Sequence, residues 1–153
     1  MIYLRPADRL DGPILAELRA ASLVEMGLLA PAERDGFVAA AECDIDRLFH
    51  DHRVVAWVTC DDEAVVGSAS AVLYDRLPYP EGSLHAEVAG VYVSPAYRRN
   101  GYAAEMVSEV VASVRASGVR KTFLRPSPGA HDLYVRLGFV DDTLMTLAPA
   151  ARQ

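Results

Sequence analysis

One stretch of the sequence decides the fold, Val91-Tyr92-Val93-Ser94-Pro95-Ala96-Tyr97-Arg98-Arg99-Asn100-Gly101-Tyr102-Ala103. Its apolar strand ends at Ser94-Pro95, and the small residues Gly101 and Ala103 let the backbone approach a ligand closely where a helix begins. The first N–H groups of a helix have no intrahelical partner and lie at the positive end of its dipole. Arg98 and Arg99 add positive charge. The stretch therefore predicts an anion site that suits a pyrophosphate.

This stretch resembles the acetyl-CoA loop of the GNAT acyl-CoA N-acyltransferases, which reads Arg/Gln-x-x-Gly-x-Gly/Ala after a strand. In this chain the loop is Arg98-Arg99-Asn100-Gly101-Tyr102-Ala103. It departs from the family pattern in two places: Ala103 stands where glycine is common, and Asn100 replaces the usual small or basic residue. A second family motif, close to Leu-Tyr-x-x-Leu-Gly-Phe, is matched by Leu133-Tyr134-Val135-Arg136-Leu137-Gly138-Phe139. With both motifs in this order, the chain is identified as a member of the GNAT superfamily.

The resemblance implies an enzyme, an N-acetyltransferase that moves an acetyl group from acetyl-CoA to a primary amine. The amine attacks directly in a ternary complex, and no metal takes part. A backbone N–H near Tyr92 would meet the oxyanion of the tetrahedral intermediate. The residues that the resemblance assigns to acetyl-CoA binding lie on the strand and in the loop: Val91, Tyr92, Val93, Arg98, Arg99, Asn100, Gly101, Tyr102 and Ala103.

The reaction needs a general base, because an aliphatic amine with a pKa of ~10.4 is protonated at neutral pH. Glu87 lies fourteen positions before Gly101, where some family members carry a base glutamate. It would take the proton directly or through one water. His85 shares its strand face, since side chains alternate with a period of two, and is the competing base. A water chain stays open as a third source.

The leaving thiolate needs a proton. In the family a tyrosine on the helix after the fifth strand often supplies it, and Tyr134 matches that position. A phenol with a reference pKa of ~10 is protonated at neutral pH and can donate. The resemblance therefore implies that Tyr134 is the general acid.

Length and composition indicate one domain that spans residues 1–153, with 52% hydrophobic residues. The net charge of −6 argues against a nucleic-acid partner and favours a cationic amine as acceptor. No apolar run is long enough for a membrane span. Two cysteines, Cys43 and Cys60, suit a reduced compartment, so we expect a cytoplasmic protein. The apolar composition and the habits of the family suggest a homodimer.

Periodicity predicts an α+β domain. Asp11 is expected to cap the first helix, and a second helix runs from Pro31 to about His50. Other helices are expected at 102–117 and 128–137. Strands are predicted at 2–5, 54–60, 64–73, 84–93, 119–124 and 143–147. The resemblance implies a mixed, mostly antiparallel central sheet, splayed at strands 4 and 5 and flanked by helices.

The acceptor itself is not specified by the sequence. A small-molecule or peptide amine is expected, and polyamine, amino acid, antibiotic and protein N-terminus all stay open. Two other readings compete with the enzyme. A non-catalytic acyl-CoA-binding or regulatory module would keep the loop but would need neither Glu87 nor Tyr134. An interaction protein that binds another anion would not need the second motif.

Overall fold

The computed structural model describes residues 1–150 and contains a five-stranded sheet between two layers of helices. The strands lie side by side in chain order, and β1 to β4 are antiparallel while β4 and β5 are parallel. The predicted α+β fold with a mixed sheet is confirmed. The strands are β1 (Ile2–Pro6), β2 (Val54–Asp61), β3 (Ala64–Asp75), β4 (Leu84–Val93) and β5 (Lys121–Leu124). The helices are α1 (Gly12–Glu25), α2 (Arg34–His50), α3 (Tyr102–Ala116) and α4 (His131–Arg136).

Each face of the sheet buries a different helix pair, because neighbouring strand residues point to opposite faces. On one face Leu15 of α1 packs on Ala56 and Val58 of β2, and α2 packs on α1. On the other face α3 and α4 cover the sheet. Here α3 contributes four fully buried side chains, Met106, Val107, Val110 and Val114. Burial of each stabilises the fold by about 1.5–3 kcal/mol, so α3 is held rigidly on the sheet.

The start of α1 differs from the expectation. Asp11 lies at the N-cap position, but its side chain makes no cap hydrogen bond. Instead, its two carboxylate oxygens accept hydrogen bonds from Arg5 at 2.8 Å each, and one of them also accepts from the Asp8 N–H at 2.9 Å. Arg5 and the backbone donor lower the pKa of Asp11. Asp11 therefore ties α1 to β1 rather than capping the helix.

The splay of β4 and β5 has a visible cause in β4. Ser68 of β3 pairs with Tyr92 but Ser70 pairs with Ala89, so β4 carries an extra residue, which is a bulge at Gly90 and Val91. Gly90 has a φ of 68°, a value that favours glycine. Parallel pairing with β5 covers 85–88 of β4 and ends there. Beyond residue 88, β4 has no strand partner on its β5 side among the described residues.

The predicted last strand at 143–147 is wrong, because residues 139–150 form no regular structure. Leu144, Met145 and Leu147 are 62%, 92% and 96% exposed, so no apolar burial fixes a strand there. The side chain of Asp142 accepts from the Thr143 N–H at 2.8 Å and pairs with Lys121, a local arrangement that competes with a sheet ladder.

The predicted helix at 128–137 is shorter than expected. A turn in which the Ala130 N–H donates to the Ser127 carbonyl comes first, with Gly129 at a φ of 82°, and α4 begins only at His131. Strand β5 also begins two residues later than predicted. Within residues 1–150 no helix is long and apolar enough to cross a membrane.

Candidate functional site

The loop before α3 presents backbone N–H groups in one place. Arg99 and Gly101 have φ values of 64° and 84°, and Asn100 Nδ2 donates to the carbonyls of Tyr97 and Arg98 at 3.0 Å each. The first helical hydrogen bond runs from the Glu105 N–H to the Gly101 carbonyl at 3.0 Å. The N–H groups of residues 102–104 therefore have no intrahelical acceptor, and no side chain caps the helix.

This helix start fits a phosphate group. A Cβ built on Gly101 would meet no atom within 4 Å, so space is open beside the N–H groups. The helix dipole places positive potential at the same point. The observed backbone therefore offers the free donors that the predicted anion site requires, and phosphate binding there stays a prediction.

Arg98 is already engaged within the protein. Its Nε donates to the Val93 carbonyl at 2.8 Å, and its two terminal nitrogens donate to the carboxylate of Glu25 at 2.7 Å each. Its Cζ lies 5.4 Å from the centre of the Tyr92 ring. The guanidinium lowers the pKa of Glu25. Arg98 thus fastens the loop to β4 and to the end of α1.

The other loop residues differ in what they offer a ligand. Arg99 is exposed and makes no hydrogen bond to another described residue, so its charge faces solvent. Tyr102 borders a groove on the β1 side together with Ile2 and Leu4, so only its backbone N–H belongs to the helix start. Val91 and Val93 pack against the core that α3 and α4 cover.

Glu87 lies on the opposite face of β4 from Ala86 and Val88, which point into that core. It pairs in register with Val72 of β3 and with Phe123 of β5. Its side chain is 32% exposed, and its Oε1 lies 3.7 Å from Arg125 Nε. Glu87 is therefore a solvent-accessible carboxylate one residue before the point where β4 and β5 separate.

His85 occupies the same face but is enclosed. It is 4% exposed, its ring lies 6.1 Å from Tyr74 and 5.9 Å from Tyr79, and its Nδ1 has no hydrogen-bond partner within residues 1–150. Burial lowers the pKa of His85, and the charges of Arg76 and Lys121 lower it further. The imidazole is neutral at neutral pH but lies under aromatic rings, so Glu87 is the more accessible of the two bases.

Tyr134 lies in the core on the other side of the sheet. It is 8% exposed, belongs to the same cluster as Ala86 and Val88, and packs edge-on against Phe139 with ring centres 5.8 Å apart. Burial raises the pKa of its phenol, so the hydroxyl stays protonated at neutral pH. The candidate base and the candidate acid thus lie on opposite faces of the sheet.

Sequence reasoning missed two residues of this region. Arg125 follows β5 directly, and a charged residue just past the carboxyl end of a parallel strand is at the edge where ligands bind in such sheets. That signal was available in the sequence. Glu25 gave no signal, because only the tertiary fold brings the end of α1 to Arg98.

Among residues 1–150, no group of three His, Cys, Asp or Glu side chains could hold a metal ion.

Solved structures of the same fold come from several organisms. A GCN5-related N-acetyltransferase from Ralstonia eutropha has a TM-score of 0.86 at 18% identity, covering 99% of this chain and 100% of that one. A predicted acetyltransferase from Clostridium acetobutylicum, solved with acetyl-CoA, has a TM-score of 0.86 at 20% identity, covering 97% and 96%. Glucosamine-6-phosphate N-acetyltransferase from Arabidopsis thaliana has a TM-score of 0.73 at 12% identity, covering 97% and 98%.

These identities establish a shared fold and nothing finer. No curated protein matches the sequence. A family model does match: the one described as the acetyltransferase (GNAT) family aligns with residues 21–139, which is most of the chain and includes the anion loop and the motif around Tyr134. The chain therefore belongs to the GNAT family of acetyltransferases.

Proposed function

We propose that this protein is an acyl-CoA N-acyltransferase that transfers the acetyl group of acetyl-CoA to a primary amine in a ternary complex. One structural observation supports the proposal in addition to family membership. A gap opens between β4 and β5 after Val88 and Leu124, a bulge in β4 lies just beyond it at Gly90 and Val91, and the chain runs from there into the free N–H groups at the start of α3. A thioester that lies in the gap can have its pyrophosphate at that helix start.

Acetyl-CoA binding in this proposal relies on backbone. The N–H groups of residues 102–104 receive the pyrophosphate, and the exposed Arg99 supplies charge at the entrance. Arg98, held by Glu25, keeps the loop in its binding conformation. The segment 91–93, which lacks a partner strand on the β5 side, leaves backbone groups for the pantetheine chain and a donor near Tyr92 for the oxyanion.

The chemical step uses the two faces of β4. Glu87 removes a proton from the ammonium, directly or through one water, and the freed nitrogen attacks the thioester carbonyl carbon. The tetrahedral intermediate collapses, the C–S bond breaks, and the hydroxyl of Tyr134 gives its proton to the departing thiolate. The raised pKa of Tyr134 keeps that proton available.

The nitrogen loses its second proton as the amide forms, and water carries this proton to the Tyr134 phenolate, which restores the acid. Glu87 releases the first proton to solvent. Glu87 and Tyr134 lie on opposite faces of β4, so in this proposal the base that acts on the nitrogen and the acid that acts on the sulfur are separate groups.

The proposal is tested by release of free thiol from acetyl-CoA in the presence of a panel of primary amines. The panel contains polyamines, amino acids, aminoglycosides and short peptides. We expect thiol release that depends on one class of amine, with the acetylated amine identified by mass spectrometry. Tight acetyl-CoA binding without thiol release for any amine would instead favour the non-catalytic acyl-CoA-binding module.

We also propose that the protein is a cytoplasmic homodimer, as the apolar composition suggests. The exposed apolar side chains of Leu144, Met145 and Leu147 support an interface at the C-terminal segment. Light scattering should give twice the chain mass of 16.6 kDa at micromolar concentration. A mass of one chain under the same conditions would contradict the dimer.

A further inference from the structure

The ion pair between Glu87 and Arg125 is loose. Arg125 Nε lies 3.7 Å from Glu87 Oε1, and the side chains are 63% and 32% exposed. Arg125 makes no hydrogen bond to any other residue in the described part of the chain. The guanidinium of Arg125 therefore keeps donors that no described residue uses.

The position of this pair coincides with the proposed site of acyl transfer. Parallel pairing of β4 with β5 ends at Val88 and Leu124, and Arg125 is the first residue after β5. Glu87 and its β5 neighbour Phe123 lie on the face opposite the core that α3 and α4 cover, and Tyr74 packs edge-on against Phe123 with ring centres 6.1 Å apart. Because Arg125 Nε is 3.7 Å from Glu87 Oε1, an amine that binds Glu87 on this face lies close to the Arg125 guanidinium.

The local charge on this face differs from the net charge of the chain. Arg76 and Lys121 lie close enough to His85 to lower its pKa, and Glu81 acts in the opposite direction. Of these cations, Lys121 is paired with Asp142 at 2.8 Å, and Arg76 lies over the ring of Tyr79. A purely cationic acceptor would meet repulsion from Arg125 as it approached Glu87. The net charge of −6 therefore does not decide which acceptor fits here.

Resting on the function proposed above, we propose that Arg125 is a specificity-determining residue, and that the acceptor carries an anionic group, a carboxylate or a phosphate, close to its amine. The ammonium takes the place of Arg125 beside Glu87, and the anion takes the place of Glu87 beside Arg125. The planar fork of a guanidinium binds either anion through two parallel hydrogen bonds. When the acceptor binds, Glu87 thus pairs with the ammonium and Arg125 pairs with the anion, so neither charge is left unpaired.

The test compares matched acceptors in the thiol-release assay. Each amino acid is paired with the amine that remains when its carboxylate is removed, and phosphoethanolamine is paired with ethanolamine. The wild-type protein should prefer the anionic member of at least one pair in kcat/KM. A preference within the amino-acid pairs indicates a carboxylate, and a preference for phosphoethanolamine over ethanolamine indicates a phosphate. Because one charge-assisted contact is lost, Arg125→Gln should reduce that preference about 10- to 100-fold, mostly through KM.

Two further variants separate recognition from structure. Arg125→Lys keeps the positive charge but lacks the two parallel N–H donors of a guanidinium. It should therefore recover part of the preference for the anionic acceptor. Arg115→Gln removes an arginine from the last turn of α3 and should leave the preference unchanged. Acetyl-CoA affinity, measured by calorimetry, should be equal in all four proteins.

A preference for the uncharged members, or an equal preference in wild type and Arg125→Gln, would overturn the role of Arg125 while leaving acetyl transfer intact. Absence of thiol release with every amine would overturn the proposed function and this inference together. The two failures are therefore distinguishable.

Discussion

The start of α3 and the open face of β4 both belong to the candidate site, but they are built in different ways. At the start of α3 the ligand-binding groups are backbone N–H donors, held by φ values that Gly101 and Arg99 adopt within one short loop. On the open face of β4 the proposed functional groups are the side chains of Glu87 and of Arg125, which follows β5 and is far from Glu87 in the sequence. The first region depends on local sequence and the second on the tertiary fold.

This difference explains what each region does. Backbone donors bind any pyrophosphate in one geometry and carry little information about the rest of a ligand. Side chains set charge and shape, so they can discriminate between acceptors. We therefore expect substitutions in the loop to abolish binding of the common cosubstrate, and substitutions on β4 and β5 to alter rate and choice of acceptor.

The largest effect is expected for Gly101→Glu. The new carboxylate would lie in the pyrophosphate site and repel it, and the residue would be strained at a φ of 84°. Calorimetry should show acetyl-CoA affinity reduced by at least about 100-fold, since repulsion of this kind costs several kcal/mol.

The matched control for that substitution is Gly118→Glu. Gly118 has a φ of 87°, also has open space around its Cβ, and lies at the other end of α3. It should suffer the same backbone strain and the same added charge without loss of affinity. Equal loss in both variants would attribute the effect to strain in α3 rather than to a pyrophosphate site.

The next largest effect is expected for Glu87→Gln, which keeps the shape of the side chain but removes the base. Turnover should fall by about 10²- to 10⁴-fold while acetyl-CoA affinity is kept. His85→Gln is the control and should keep most of the turnover. A fall of that size in His85→Gln, with full turnover in Glu87→Gln, would move the base to His85.

Tyr134→Phe should have a somewhat smaller effect. The ring stays packed against Phe139, so folding and acetyl-CoA affinity should change little. Turnover should fall by about 10²-fold, because the departing thiolate must take its proton from solvent. Turnover equal to that of the wild type would mean that Tyr134 is not the acid.

The smallest effect lies outside the site and concerns stability. Asp11→Asn leaves Arg5 without its carboxylate partner and should lower the free energy of unfolding by about 1–2 kcal/mol, allowing for solvent screening at Arg5. The exposed pair of Arg9 and Asp46 provides the control, and Asp46→Asn should leave the denaturation midpoint unchanged.

The sign of the pH dependence follows from the pKa of Asp11, which lies below its ordinary value of 3.8 in the folded protein. The stabilisation is complete above that ordinary value and is lost as pH falls through the lower folded pKa. The stability difference between wild type and Asp11→Asn should therefore shrink at acid pH. A difference that stays constant between pH 6 and pH 3 would contradict the assigned ion pair.

Much of the first region could be predicted from the sequence. The glycine, the basic turn and the strand before them are local signals, and the loop, the start of α3 and the position of Gly118 after its end follow from them. The pairing of β2 with β3 also follows, because a short hairpin joins them. The cap by Asp11 and the last strand at 143–147 were wrong. In both cases tertiary partners decided the outcome: Arg5 engages Asp11, and Leu144 and Met145 find no core surface.

Less of the second region could be predicted. Periodicity places Glu87 and His85 on one face of β4, but it cannot tell that Tyr74 and Tyr79 enclose His85 while Glu87 stays accessible. The contact with Arg125 depends on the parallel register of β4 and β5, which no local pattern encodes. Net charge averages over groups that lie far from Glu87, so the cationic acceptor expected from it stays a prediction.

The central claim is that acetyl-CoA binds where the bulged end of β4 meets the start of α3. Hydrogen exchange measured by mass spectrometry, with and without acetyl-CoA, tests it most directly, because the proposed ligand contacts are backbone N–H groups. We predict new protection in peptides that cover residues 91–104, with little change in α2. Saturating acetyl-CoA that leaves exchange in 91–104 unchanged, or that protects a different part of the chain, would contradict the claim.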